Sequence, residues 1–277
     1  MNSRWDSDVP QGQMDIHPLG WGLVVMRAVL LVILVFGGLA VLLTLRLFER
    51  PLFGQGRPVT PHITQFVCKT SFFIMGIRRR TIGKPMLHRG AVVANHTSWL
   101  DIFTLNAAQR IYFVSKSEVA GWPGIGWLAR ATGTVFIERN PKRAREQTQV
   151  FQQRLLHNHR LLFFPEGTST DGLQVLSFKT TLFQAFFAPQ LHDAIWIQPV
   201  SVSYRAPKGA DARFYGWWGD MTFGGHLVET LSVWRQGHVT TCYHPPIKVS
   251  DFQNRKDLAL ACENQIRDGH QTDMSGQ

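Results

Sequence analysis

Two residues able to share a proton stand five positions apart, His96 and Asp101, in the stretch Asn95-His96-Thr97-Ser98-Trp99-Leu100-Asp101. A paired His and Asp suit general-base chemistry. The carboxylate fixes the imidazole tautomer and stabilises the imidazolium once the ring has taken a proton. On one regular helix, five residues turn through about 140°, so the two side chains cannot share a helical face. A turn must lie between them. The apolar run at 91–94 reads as a buried strand, and Ile102-Phe103-Thr104-Leu105 reads as the first turns of a helix. Ser98 is a good helix N-cap, and Asp101 follows it at capping-box spacing, which can bring the carboxylate back towards the ring. Taken alone, the same residues also fit a hydrogen-bonded loop histidine and a capping carboxylate.

Two further stretches could bind an anion or an acceptor. Phe163-Phe164-Pro165-Glu166-Gly167-Thr168-Ser169-Thr170 is a strand running into a Pro- and Gly-containing turn and then a hydroxyl-rich loop. Such a loop presents N–H groups and hydroxyls, but Glu166 would repel a phosphate. It suits an acceptor hydroxyl or a neighbouring cation, and an ordinary turn explains Pro and Gly equally well. Gly133-Thr134-Val135-Phe136-Ile137-Glu138-Arg139-Asn140 is a strand ending in an arginine able to fork onto phosphate. Lys116 ends another strand. Both cations also fit solvated strand ends.

Metal chemistry finds no support. His157 and His159 are two apart on an expected helix and face different ways. Cys68, Cys242 and Cys262 are far apart and odd in number, so neither a disulfide framework nor a cysteine zinc site is indicated. They fit a domain facing a reducing cytoplasm.

These groups need a scaffold, and the chain supplies one beside a membrane segment. Residues 1–20 are polar and expected to be poorly ordered. Residues 28–45 carry no charge, are dominated by Leu, Val and Ile, and are bounded by Arg27 and Arg46. That length is near the minimum for a bilayer span. A segment 21–48 is therefore expected to cross or enter a membrane, with a buried core helix and an interfacial helix as alternatives. After it come Arg46, Arg50, Arg57, Lys69, Arg78, Arg79, Arg80, Lys84 and Arg89 against the single acid Glu49, placing that side in the cytoplasm. Residues 49–80 read as a basic juxtamembrane segment, with 54–61 a linker and 62–80 an amphipathic helix on anionic lipid. The net charge of +10 and nine Trp fit such a surface. Because the cations cluster beside the apolar run, lipid explains them more simply than nucleic acid.

Within 81–268, strands are expected at 91–94, 111–114, 134–137, 161–164 and 195–202, and helices at 98–109, 142–158 and 176–188, with a last helix at 255–268. Alternating β and α elements predict an α/β domain, a central mixed sheet flanked by helices, preceded by the membrane helix. Residues 269–277 read as a loose tail.

Four blocks in order, Asn95 to Asp101, Gly133 to Arg139, Phe164-Pro165-Glu166-Gly167-Thr168 and Ile197-Gln198-Pro199-Val200, resemble the glycerolipid acyltransferases, typified by bacterial lysophosphatidic acid acyltransferases. The resemblance covers roughly residues 80–205. It implies transfer of a fatty acyl group from acyl-CoA or acyl carrier protein to a lysolipid hydroxyl, without a cofactor or metal, at a bacterial inner membrane. By this resemblance His96 is the general base, Asp101 orients it, and Arg139, Glu166, Gly167 and Thr168 help bind the acceptor; Lys116, from its strand end, and Ser169, from its place in the loop, are further acceptor-binding candidates. No Gly-x-Ser-x-Gly elbow suggests a covalent acyl-enzyme.

The chain departs from the pattern at one place. Lysophosphatidic acid acyltransferases usually have an arginine after Glu-Gly-Thr; here Ser169, Thr170 and Asp171 follow. Members that acylate lyso-ornithine lipid look similar here and along Phe214-Tyr215-Gly216-Trp217-Trp218-Gly219-Asp220-Met221. The larger subfamily keeps phosphatidic acid as the expected product, with ornithine lipid as the alternative. A lipid hydrolase and a non-catalytic membrane-anchored binding protein are the rivals from other classes.

Overall fold

The computed structural model describes residues 5–8, 16–138 and 144–275. The sheet is mixed, in the order β1-β7-β6-β2-β5-β3-β4, with β8 (Ile247–Lys248) also on β6. Its strands are β1 (Arg78–Ile82), β2 (Gly90–Ala94), β3 (Tyr112–Lys116), β4 (Val135–Ile137), β5 (Leu161–Phe163), β6 (Trp196–Arg205) and β7 (His238–Tyr243). β2 runs parallel to both β5 and β6, and β3 parallel to β5 and β4, while β7 and β8 are antiparallel to β6.

Every residue of β2 is buried, as expected of a parallel strand covered on both faces. Alternate side chains enter two cores. Ala91 and Val93 join Leu161, Phe163 and Ile197 beneath α5 (Ala144–Leu156) and α7 (Arg255–Ser275). Val92 and Ala94 join Leu162, Val200 and Val202 beneath α2 (Thr60–Met75) and α3 (Leu100–Ala108). Gly90 is required where β2 begins: its φ is +149°, and a Cβ there would lie 1.7 Å from the Trp196 carbonyl oxygen.

α1 (Pro18–Phe53) is one helix long and apolar enough to cross a membrane, with a mean hydropathy of 2.9 over an 18-residue stretch of which only 6% is buried. Near its start, the buried Arg27 donates to the carbonyls of Leu231 (2.9 Å) and Val233 (2.7 Å), where α6 (Phe223–Ser232) ends. Near its end, Glu49 accepts from the N–H groups of Val59 and Thr60 and from the Thr60 hydroxyl, capping α2. About 33 Å of helix separates these ties. α1 therefore lies alongside the domain, touching α2 so closely that a Cβ on Gly38 would lie 2.5 Å from Val67 Cγ2. Its outer face, with Val29, Ile33 and Phe36, is exposed.

Several boundaries differ from the sequence reading. The helix expected at 62–80 ends at Gly76, which takes a left-handed φ of 80°. Arg78, Arg79 and Arg80 instead lie in β1, an exposed edge strand, where a run of charge discourages pairing with another chain. In the stretch 176–188 only a 3₁₀ turn, Leu182–Phe187, forms. Carboxylates intercept the backbone before it, Glu166 accepting from Leu176 N–H and Glu263 from Phe178 N–H. α7 continues to Ser275 rather than fraying after 268, because the buried His270 donates through Nε2 to the Gly172 carbonyl. The start of the chain is not loose throughout: the Trp5 ring packs edge-on against Trp218.

Candidate active site

The parallel strands deliver their carboxyl ends to one edge of the sheet, where open α/β sheets bind ligands. Asn95 follows β2, Lys116 ends β3, Glu138 follows β4, and Phe164 follows β5. Sequence blocks far apart in the chain meet there.

Asn95 sets the position of the first block. Ala94 pairs with Val200, and one step further the Asn95 side chain replaces the ladder. Its Nδ2 donates to the Val202 carbonyl at 2.9 Å and its Oδ1 accepts from Val202 N–H at 2.8 Å. The chain then turns. His96 Nδ1 lies 2.7 Å from Asp101 Oδ2, and the same oxygen accepts the N–H groups of Thr97 (2.8 Å) and Ser98 (3.0 Å). Asp101 Oδ1 accepts the Tyr204 hydroxyl at 2.8 Å. An ionised carboxylate only accepts. So Nδ1 carries the ring proton, and Nε2 is left as the basic nitrogen.

The capping-box expectation holds by half. The carboxylate reaches back to Ser98 N–H, but the Ser98 hydroxyl is buried with no partner among the described residues. The imidazole stacks on Phe164, with centroids 4.1 Å apart and planes 9° apart. Its side chain keeps 19% exposure beside an Asp101 with none.

Glu166, read as an acceptor-binding position, lies beneath the histidine loop. It is buried, and its two oxygens accept from His96 N–H (2.6 Å) and Leu176 N–H (2.8 Å). Burial pushes its carboxyl up to about 8, against the lowering effect of those two donors. It ties the loop after β5 to the histidine backbone. Gly167 holds a φ of +73°, and a Cβ there would lie 2.7 Å from Lys179 Nζ. Thr170 N–H donates to the His96 carbonyl at 3.0 Å, and Trp217 N–H to that of Thr97 at 2.9 Å.

Ser169, read as an acceptor-binding position, donates its hydroxyl to the Trp217 carbonyl. The Thr168 hydroxyl donates to the Ser169 carbonyl and accepts Trp5 N–H at 3.4 Å. Lys116 stands at the same sheet edge, in register with Ile137. Arg139 lies outside the described residues.

Sequence reasoning missed Tyr204, Asn95 and Phe164 as parts of this site. Asn95 and Phe164 stand inside the quoted blocks, where their positions are the only signal. Tyr204 lies beyond the fourth block, and only the β2–β6 register brings it to Asp101.

A partly exposed histidine paired with a buried aspartate at the carboxyl edge of a mixed sheet has the geometry of a general base. The sequence pattern of the family described as Acyltransferase matches residues 79–203. The chain is similar to the lyso-ornithine lipid O-acyltransferase of Rhodobacter capsulatus, at 56% identity over 265 residues, covering 96% of each chain. It is also similar to the Brucella abortus protein of that name, at 37% identity over 70% of this chain and 76% of that one. The 1-acyl-sn-glycerol-3-phosphate acyltransferase of Neisseria gonorrhoeae is 41% identical over a shorter stretch, 34% of this chain and 37% of that one. The chain belongs to the acyltransferase family and is an acyltransferase. Its fold matches the crystal structure of the 1-acyl-sn-glycerophosphate acyltransferase of Thermotoga maritima, with a TM-score of 0.66 at 20% identity, over 93% of this chain and 97% of that one. The similarities favour the ornithine alternative over the phosphatidic acid reading.

Proposed function

We propose that this acyltransferase esterifies the free hydroxyl of lyso-ornithine lipid, making ornithine lipid. The observation that carries the reading is Ser169. It stands where enzymes with a phosphate-bearing acceptor usually keep an arginine, and its hydroxyl is taken by the Trp217 carbonyl. The full-length similarity to the Rhodobacter capsulatus protein supports it.

In this reading His96 Nε2 removes the proton from the acceptor hydroxyl as its oxygen attacks the thioester carbonyl carbon. Asp101 holds the ring and stabilises the imidazolium. The tetrahedral intermediate then collapses, the C–S bond breaks, and the imidazolium proton goes to the departing thiolate. The products are an ester and a free thiol, without a metal or cofactor. The donor is acyl-CoA or acyl carrier protein.

The exposed apolar face of α1 fits membrane association. Its two ties to the domain favour a helix that enters one leaflet over one that projects away from the fold. Arg46 and Arg50 near the end of α1 and Arg57 just after it fit the anionic cytoplasmic leaflet and support a catalytic domain on the cytoplasmic side of the inner membrane. Lys69 and Arg78 to Arg80 would meet anionic head groups.

The test is a single-acceptor assay with lyso-ornithine lipid and acyl thioester. Ornithine lipid and free thiol should appear in equal amounts and be absent with His96→Ala. Thiol release together with free fatty acid, in place of ornithine lipid, would instead identify a hydrolase.

A further inference from the structure

The buried pair has a third member that the sequence blocks do not contain. Tyr204 sits on β6, fully within the core. Its hydroxyl lies 2.8 Å from Asp101 Oδ1 and 2.9 Å from Thr104 Oγ1. A phenol has one proton, and an ionised Asp101 can only accept it. Thr104 must therefore donate to the Tyr204 oxygen. The result is a directed chain, Thr104 O–H to Tyr204, Tyr204 O–H to Asp101, and His96 Nδ1–H to the other oxygen of the same carboxylate.

We infer that Tyr204 is a positioning residue for the acyl transfer, setting the basicity and orientation of His96 through Asp101. The inference rests on the general-base reading of His96.

Three observations support it. Asp101 Oδ2 is already saturated by His96 and by the N–H groups of Thr97 and Ser98. Among the described residues Tyr204 is the one hydrogen-bond donor to Oδ1, and Asp101 has no exposure with which to recruit water. Asn95 clamps β6 at Val202, two residues before Tyr204, so the tyrosine is held in register with the histidine loop. A buried carboxylate oxygen without a donor is costly. Loss of this donor concentrates negative charge on the oxygen facing His96 and makes the pair hold its proton more tightly.

The sign of the effect follows. The general base must be unprotonated in the free enzyme, so the acid limb of kcat/KM reports its titration. Removing the tyrosine hydroxyl should move that limb to higher pH. The other titratable groups facing the pair are Glu166, which acts on Asp101, and Tyr215, which acts on Tyr204. His226 stands behind Trp99. All three are unchanged in the variants below.

The experiment is the pH profile of wild type, Tyr204→Phe, Thr104→Val and His96→Ala in detergent, with lyso-ornithine lipid and acyl thioester. Tyr204→Phe keeps the ring that packs on Tyr215 at 5.6 Å. We expect its kcat to fall at least tenfold near neutral pH, with the KM of both substrates within twofold and the acid limb moved upward. Thr104→Val, which leaves the Tyr204–Asp101 bond in place, should move the limb the same way by less. A Tyr204→Phe enzyme with wild-type kcat and an unmoved limb would overturn the inference, as would lost activity matched by lost folded protein with the limb unchanged. An active His96→Ala enzyme would overturn the general-base reading itself, and so is told apart from a failure of Tyr204 alone.

Discussion

At the scale of single residues, the site rests on buried polar groups held by specific hydrogen bonds. His226 illustrates what such bonding costs in acid. Its Nδ1 accepts from Trp99 Nε1 at 2.8 Å, so Nε2 carries the proton given to the Phe214 carbonyl at 3.1 Å. Both nitrogens are committed in the neutral form, and burial holds the ring down to about 4. A depressed folded pKa contributes stability that is present above the ordinary histidine value near 6.5 and is lost as pH falls towards about 4. His159, also held down to about 4 by burial, acts in the same sense. Between pH 7 and pH 5, His226 should account for about 2 kcal/mol of lost stability. Denaturant midpoints at the two pH values check this: His226→Gln should narrow the difference, and an equal difference in both proteins would contradict it.

At the scale of elements, the sequence made some features legible and concealed others for physical reasons. The strands bearing the site read clearly because they are buried on both faces and so appear as short apolar runs. β7, with its threonines, has no such run, and β1 is written in arginines. α2 carries apolar periodicity past its true end, although Gly76, the left-handed stop, was in plain view. The helix expected near 176–188 failed because Glu166 and Glu263 take backbone N–H groups there, a contact no local pattern announces. Glu49 was legible only as a lone acid among cations, yet it is the cap that joins α1 to α2. Glu49→Ala should lower stability by about 1–2 kcal/mol, the range for a lost cap, measured by thermal unfolding, while vesicle binding persists. Ile33→Asp with Phe36→Asp should do the reverse, removing vesicle binding with little change in unfolding, because both side chains are exposed. Equal binding by both proteins would contradict the assignment of that face to lipid.

At the scale of the whole molecule, the fold is a sheet whose carboxyl edge gathers the chemistry and whose long first helix turns an apolar face outward. The His–Asp pair was readable from residue types and spacing, and the family from four blocks in order. The roles of Glu166 and Ser169 were not, because both depend on which backbone groups the loops after β5 and before α6 present to them. Glu166 braces the histidine loop, and Ser169 closes a contact with Trp217. The acceptor proposal depends on that second contact.

The most direct test is a competition. Membranes containing the protein receive one labelled acyl donor and equal amounts of lysophosphatidic acid and lyso-ornithine lipid, with the His96→Ala protein as the blank. The account predicts label predominantly in ornithine lipid and none above background with His96→Ala. Label predominantly in phosphatidic acid would contradict the proposed acceptor and leave Ser169 without a role in selecting it. Equal label with and without His96 would contradict the catalytic assignment altogether.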